Sequence, residues 1–224
     1  MHYADVNSPL LDAHPLFPGL ARHLRENPGR LEETDGEPAR AAVAILLRSV
    51  PLQQGVGEHA HPASRLTPHL EVLLILRADR TGDPWSGQVA LPGGRRDSSD
   101  ATLQDTAVRE TLEETGIDLA TQGVVLGTLD ELRPRTPHLP PIIVTPFVAI
   151  VAPDPELQIS DELADAFWAP WSIFSDPART DERTINVRGA DWQVVSYLVG
   201  ERIVWGMTER MLRQLARVIS EVGT

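Results

Sequence analysis

The sequence predicts an α+β domain, and two kinds of pattern carry the prediction. Short apolar runs at residues 41–47 (AAVAILL), 71–77 (EVLLILR) and 142–151 (IIVTPFVAIV) read as buried strands. Elsewhere apolar residues recur at helical spacing, as Leu16, Leu20 and Leu24 do, and again Leu212, Leu215, Ala216 and Ile219. A chain of 224 residues with 42% hydrophobic content suits one domain with a substantial core.

In chain order, residues 1–38 are polar, punctuated by proline and glycine, and read as an N-terminal extension with a short helix at Leu16, Leu20 and Leu24. It is expected to pack on the main domain, residues 39–222, or to serve a homodimer. The strands at 41–47 and 71–77 are expected to pair. Between them runs a long loop, 50–69, with His59, His61 and His69. With no further ordered ligand nearby, a mobile polar loop explains these histidines better than a metal site does.

The stretch 91–119, LPGGRRDSSDATLQDTAVRETLEETGIDL, is the centre of the chain. The glycines of Pro92-Gly93-Gly94 allow close backbone approach. Ser99 or Asp100 can cap the helix that follows, and Gly116 can stop it. Val108 and Leu112, four apart, are expected to face the core. Glu110, Glu113 and Glu114 sit at i, i+3 and i+4, which gathers three carboxylates on one helix face. Crowded carboxylates repel one another, and a hard divalent cation with a preference for oxygen relieves the conflict. Such a cation keeps open positions for water and phosphate oxygens. The stretch therefore reads as a Mg²⁺ or Mn²⁺ platform for phosphate chemistry, set against the plain alternative of a solvated acidic face.

After this helix, residues 124–132 read as a strand, and 133–141 (RPRTPHLPP) as a proline-stiffened loop that either closes over a nucleotide or is a linker. An acidic segment, 156–164, which includes Glu162, precedes residues 166–170. Residues 192–198 and 202–204 read as a hairpin with Gly200 in the turn, and Thr208 as the cap of the terminal helix.

Composition narrows the function. The formal charge of −12 disfavours nucleic acid as a partner. Cysteine is absent, which excludes thiol catalysis, disulfides and cysteine zinc sites. All 20 basic residues are arginine, which excludes lysine Schiff-base chemistry and a Walker P-loop. No apolar run reaches the ~18 residues of a membrane span, and no secretory signal is read at the N-terminus. A cytoplasmic protein without membrane partners is the expectation.

The central stretch resembles the Nudix box: Gly, five residues, Glu, seven residues, then Arg-Glu-aliphatic-any-Glu-Glu-any-Gly-aliphatic. Here Gly94 is followed by five residues, Asp100, eight residues and Arg109-Glu110. Asp100 stands for the first Glu, one residue is inserted, and Thr111 replaces an aliphatic residue. The first two departures are shared with a branch similar to the coenzyme A diphosphatases, in whose frame Pro92-Gly93-Gly94, Asp97, Asp100 and Thr106-Ala107-Val108-Arg109-Glu110 all fall. Gly87, Val89, Ala90 and Pro92 match that branch too, as do Val144-Thr145-Pro146 and Trp205-Gly206-Met207-Thr208. Gly82, Asp83 and Trp85 stand where the branch has Leu, Arg and His, and Arg77 is one place out of register with its arginine.

The resemblance implies a mixed sheet between helices, with the box as a loop–helix–loop. It implies metal-assisted hydrolysis of a nucleoside diphosphate derivative, coenzyme A or its esters leading. ADP-ribose, a dinucleoside polyphosphate or a nucleotide sugar stays open as substrate, and so does a non-catalytic nucleotide sensor. Glu110 and Glu114 would be the main metal ligands, with the Gly94 carbonyl adding an oxygen. Glu113 would be a ligand or the base, and Arg109 would orient a box glutamate through a bidentate pair. Asp97 and Asp100 would bind a second metal or fix the loop. Arg77, Arg95 and Arg96 are candidates for phosphate, and Trp85 for base stacking or ordinary packing.

Overall fold

Residues 39–50 bear apolar side chains at almost every position, the pattern of a strand covered on both faces. In the computed structural model this run is β1 (Ala39–Val50), the middle of the main sheet. The structure describes residues 8–36, 38–50, 69–82, 85–134, 141–187 and 189–223. Antiparallel to β1 lie β2 (His69–Arg77) and the short β4 (Gly93–Arg95), and β2 in turn pairs with β3 (Val89–Ala90). On the other side β6 (Ile142–Val151) runs parallel to β1 and antiparallel to β5 (Gly123–Thr128). β7 (Leu163–Pro170) pairs with β2 and completes a mixed, seven-stranded sheet.

Period-two alternation along β1 feeds two cores. Ala41, Ile45 and Leu47 join a cluster with Phe17, Leu20 and Leu24 of α1 (Leu16–Glu26), Phe174 of α4 (Ser172–Ser175) and Leu212 and Leu215 of α5 (Gly206–Val222). Ala42, Ala44 and Leu46 face the opposite way, towards Ala107 of α2 (Leu103–Thr115) and Leu119 of α3 (Leu119–Gln122). The mixed sheet is therefore sandwiched between helices, as expected. The N-terminal helix is part of the core and packs on α5 and β5. The segment after it is pinned by buried Glu131, which accepts from the Glu32 N–H (2.9 Å), from Thr145 Oγ1 (2.7 Å) and from Arg40.

Several local expectations change. The strand predicted at 124–132 spans Gly123–Thr128, and Leu132 contributes an isolated bridge to Val144. The predicted hairpin is β9 (Ala190–Val199) with β10 (Arg202–Trp205), Gly200 turning at φ +60°. A third strand, β8 (Thr180–Val187), joins β9 and makes a separate antiparallel sheet. Its sequence, TDERTINV, is too polar to announce a strand. Thr208 does not cap α5: its hydroxyl donates to the Val89 carbonyl at 3.2 Å and fastens the helix to β3. His59, His61, Asp83 and His138 lie outside the described residues. Among the described residues no helix is long and apolar enough to cross a membrane.

Candidate active site

β4 crosses β1 so closely that side chains are forbidden on part of it. A Cβ on Gly93, where φ is +150°, would stand 2.3 Å from the Ala42 carbonyl oxygen. A Cβ on Gly94 would stand 2.4 Å from Oε1 of Glu110. The two glycines thus have different reasons. Gly93 lets the backbone pass over β1, and Gly94 leaves the space that the Glu110 carboxylate fills.

From β4 the chain turns through residues 96–102 into α2. The cap is Thr102, not Ser99 or Asp100: its side chain accepts from the Asp105 N–H, and the Asp105 carboxylate accepts from the Thr102 N–H at 2.7 Å. This capping box satisfies two otherwise orphaned helix donors. Asp97 folds the turn locally by accepting from the Ser99 N–H and hydroxyl, both at 2.8 Å. Gly116, in the left-handed region, ends the helix.

Asp100 has a different task from metal binding. Its Oδ1 accepts from Arg109 Nε (3.0 Å), and its Oδ2 accepts from Arg109 Nη2, Thr106 Oγ1 and the Asp97 N–H, each at 2.9 Å. A carboxylate has about four lone-pair sites, so this one is saturated, and the side chain is buried at 6% exposure. The Arg109 fork holds its carboxyl far below the usual carboxylate range. Asp100 is therefore a fastening between the turn and α2; of the two roles open to it, binding a second metal and fixing the loop, these contacts match the second. The same holds for Arg96, whose guanidinium donates to the Asp100 and Ala101 carbonyls (3.0 and 2.9 Å) and closes the turn instead of facing phosphate.

Arg109 is the hub. Besides the bidentate pair to Asp100, its Nη1 donates to Glu110 Oε1 and Glu113 Oε2, both at 2.9 Å, and its Nη2 to the Arg95 carbonyl. It does touch box glutamates, but its bidentate partner is Asp100. Hydrogen bonds to these carboxylates, that to Asp100 foremost, raise its already high pKa further.

Glu114 is the buried member of the acidic trio, at 3% exposure, against the half-buried Glu110 and the exposed Glu113. Its Oε2 accepts from the Gly93 N–H at 2.9 Å, and Arg77 Nη1 approaches Oε1 at 3.8 Å. Burial pushes its pKa up to about 7, with Glu110 and Glu162 adding repulsion and the Gly93 N–H and Arg77 opposing. Burial likewise raises Glu110, and Arg109 offsets part of that rise. Opposite α2, the turn at 160–162 brings Ser160, Asp161 and Glu162 around a cleft of about 360 Å³ shared with Glu110, Glu113 and Glu114. Glu162 is held there by Arg80 at 3.0 Å.

The residues suit a divalent cation. Two carboxylates whose charge is disfavoured by burial, beside three more acids and an open cleft, form an all-oxygen donor set that positive charge would stabilise. Among the described residues no three acids or histidines close into a finished cage. Arg109 Nη1 occupies the place between Glu110 and Glu113, so a cation bound to both must displace it.

A larger cavity of about 930 Å³ opens beside this cleft. Arg77, Trp85, Gly94, Arg95, Glu110, Glu114 and Glu162 all line it, so the structure gathers most of the predicted site at one mouth. Sequence reading missed the rest of its wall, which comes chiefly from β1, β3, β6, β9, β10 and the first turns of α5. One signal was available: three of the five tryptophans, Trp85, Trp192 and Trp205, line the cavity.

Comparison with known proteins agrees with this fold. The family model described as the NUDIX domain matches residues 64–188. An uncharacterised protein of Schizosaccharomyces pombe is 36% identical over 142 residues, 62% of this chain but only 43% of that protein. The uncharacterised Nudix hydrolase NudL of Photorhabdus laumondii is 32% identical over 149 residues, 66% of this chain and 76% of that protein. A crystal structure of a MutT/nudix family protein from Enterococcus faecalis superposes with a TM-score of 0.51 at 20% identity, covering 84% of this chain and 65% of that one. That likeness concerns the fold alone. The box arrangement and these matches place the chain in the Nudix hydrolase family, whose members act on pyrophosphate bonds of nucleoside diphosphate derivatives.

Proposed function

We propose that this protein hydrolyses the diphosphate linkage of a nucleoside diphosphate derivative, with coenzyme A or its esters as leading candidate. One observation carries the reading: the buried Glu114 carboxylate, beside Glu110 and beneath Gly93-Gly94, opens onto a cavity large enough for such a molecule. The coenzyme A assignment rests on the fit of Pro92-Gly93-Gly94, Asp97 and Asp100 to that branch. The replacements at Gly82, Asp83 and Trp85 keep ADP-ribose, dinucleoside polyphosphates and nucleotide sugars as the second reading. A cytoplasmic location belongs to the same proposal.

Nudix hydrolases generally need a divalent metal ion. Glu110 and Glu114 would hold Mg²⁺ or Mn²⁺, with Glu113 beside them and the Gly94 carbonyl as a further oxygen. Bound there, the ion screens the diphosphate and makes water a better nucleophile. Arg77 and Arg95, both lining the cavity, neutralise phosphate oxygens and orient the linkage. Glu113, the most exposed of the three box acids, takes the proton of the attacking water at a carboxylate oxygen. Water oxygen bonds to one phosphorus, the bridging P–O bond breaks, and the bridging oxygen leaves with the other phosphate. Arg109 touches no substrate in this scheme and keeps Glu110 and Glu113 in place.

The test is turnover by the purified chain with Mg²⁺ or Mn²⁺ across coenzyme A, its acyl esters, ADP-ribose, dinucleoside polyphosphates and nucleotide sugars. Product masses identify the phosphorus attacked. Tight binding of one of these compounds with no metal-dependent turnover of any would favour a sensor and overturn the hydrolase reading.

A further inference from the structure

The walls of the large cavity differ in chemistry. One wall, from β2, β4, α2 and the 160–162 turn, carries the charged groups already described. The other is built by Ile142 and Val144 of β6, Trp192 of β9, Trp205 of β10, and Met207 and Met211 of α5. Polar side chains on this second wall are engaged within the protein. Thr208 donates to the Val89 carbonyl (3.2 Å), Glu209 pairs with Arg213 (3.1 Å), and Arg210 donates to the Arg133 carbonyl (2.8 Å). What it presents to an occupant is largely apolar and aromatic. Most of it also lies beyond residues 64–188, the segment that matches the family model, because β9 begins at Ala190. The box residues of the reaction centre fall within that segment, and Trp192, Trp205, Met207 and Met211 of this wall lie C-terminal to it.

We infer that the apolar wall is the specificity surface for the non-nucleosidyl arm of the substrate, and that this arm is extended and apolar. The inference rests on the diphosphatase reading and deepens it. The cavity volume, about 930 Å³, lies near the top of the ~300–1,000 Å³ range of small-molecule sites. Room remains beyond a diphosphate held against Arg77, Arg95 and the box acids. Each methylene removed from water on such a surface strengthens binding about fourfold. Met207 and Met211 are unbranched and adaptable, so the wall accepts arms of different length instead of one rigid shape.

The probes are ADP esters of methanol, hexanol and decanol, mixed rapidly with the full chain and Mg²⁺. Quenching of tryptophan fluorescence reports binding through Trp85, Trp192 and Trp205, and product analysis reports cleavage separately. Affinity is expected to rise at least a hundredfold from the methyl to the decyl ester. Two variants, Trp192→Ala and Met207→Gln, are each expected to cut that ratio at least tenfold, with melting curves verifying that each is folded. Equal affinity for the three esters overturns the inference. So does a chain-length gain that survives both folded variants, because the arm then binds elsewhere. Length-dependent binding without cleavage of any ester upholds the inference and counts against the hydrolase reading alone.

Discussion

Arg109 and Asp100 form a two-pronged pair, Nε to Oδ1 at 3.0 Å and Nη2 to Oδ2 at 2.9 Å, across the nine residues that separate the turn from the second turn of α2. Asp100 is buried, and Arg109 is partly shielded. Removing one member of such a pair leaves a poorly solvated charge and typically costs about 3 kcal/mol or more. Asp100→Ala is expected to lower the melting temperature by roughly 6–12 °C for a chain of this size. Mn²⁺ affinity, measured by titration, should change far less than in Glu114→Gln. Loss of Mn²⁺ binding with the melting temperature intact would return Asp100 to the ligand set.

The same pair sets the behaviour in acid. The folded pKa of Asp100 is depressed, chiefly by Arg109. The unfolded chain therefore takes up a proton at a higher pH than the folded one. Stability from this group is fully present above the unfolded value of about 3.9 and is lost as pH falls below it. Melting temperature should drop between about pH 4 and pH 2. Asp100→Asn, which cannot titrate, should flatten that part of the curve. An unchanged slope in the variant would show that other carboxylates govern acid unfolding.

Much of this site was legible because its signals are local: helical pitch gathers Glu110, Glu113 and Glu114, and the Gly-Gly turn precedes them. The misreadings have physical causes. Leu112, expected in the core, is 46% exposed, whereas Thr111 and Thr115 are fully buried. Their hydroxyls donate back to the Ala107 and Thr111 carbonyls at 2.7 and 2.6 Å, so the threonines present methyl groups to the core and leave no polar atom wanting. Apolar periodicity cannot see that substitution. Nor could it assign partners to Asp100 and Arg96, since both carry the charge of a ligand and spend it on backbone and neighbours. The apolar wall arises from elements far apart in the chain, Ile142 against Trp192 and Met211, and only the fold brings them together.

Glu114 makes the opposite prediction in the neutral range. Its folded pKa lies near 7, against 4.5 for an ordinary glutamate. Between those values the folded state holds a proton that the unfolded state has released, so stability of the metal-free protein falls as pH rises from about 4.5 to 7. The shift corresponds to a loss on the order of 3 kcal/mol. In EDTA at pH 8, Glu114→Gln should melt above the parent protein. Adding Mg²⁺ should raise the melting temperature of the parent and do little for the variant. Turnover should fall at least a hundredfold in the variant, the size expected when charge stabilisation at the reacting centre is removed. A variant that melts below the parent in EDTA at pH 8 would show that the buried carboxylate is not the strained group inferred here.

Gly93 and Gly94 are adjacent, yet alanine should affect them differently. At Gly93 the new Cβ meets backbone, 2.3 Å from the Ala42 oxygen and 2.5 Å from the Val43 Cα, at a φ of +150° that alanine rarely adopts. Neither obstacle can move without parting β4 from β1, so Gly93→Ala is expected to destabilise by about 3 kcal/mol or more and to express poorly. At Gly94 the three atoms nearest the Cβ, at 2.4–2.6 Å, all belong to the carboxylate of Glu110, the far end of a flexible side chain that Arg109 holds by one hydrogen bond. That end can swing away at a cost of about 1 kcal/mol. Gly94→Ala should therefore fold with nearly the parent melting temperature, while Glu110 leaves the position it needs beside Glu114. Displacing a catalytic group by about 1 Å can cost on the order of a hundredfold, and kcat/KM for whichever diphosphate the parent cleaves should fall by that much. Melting curves and kinetics of the two proteins side by side decide it. If Gly94→Ala keeps its activity, the space beneath the turn is not reserved for Glu110, and the ligand set proposed for this site loses one of its two main members.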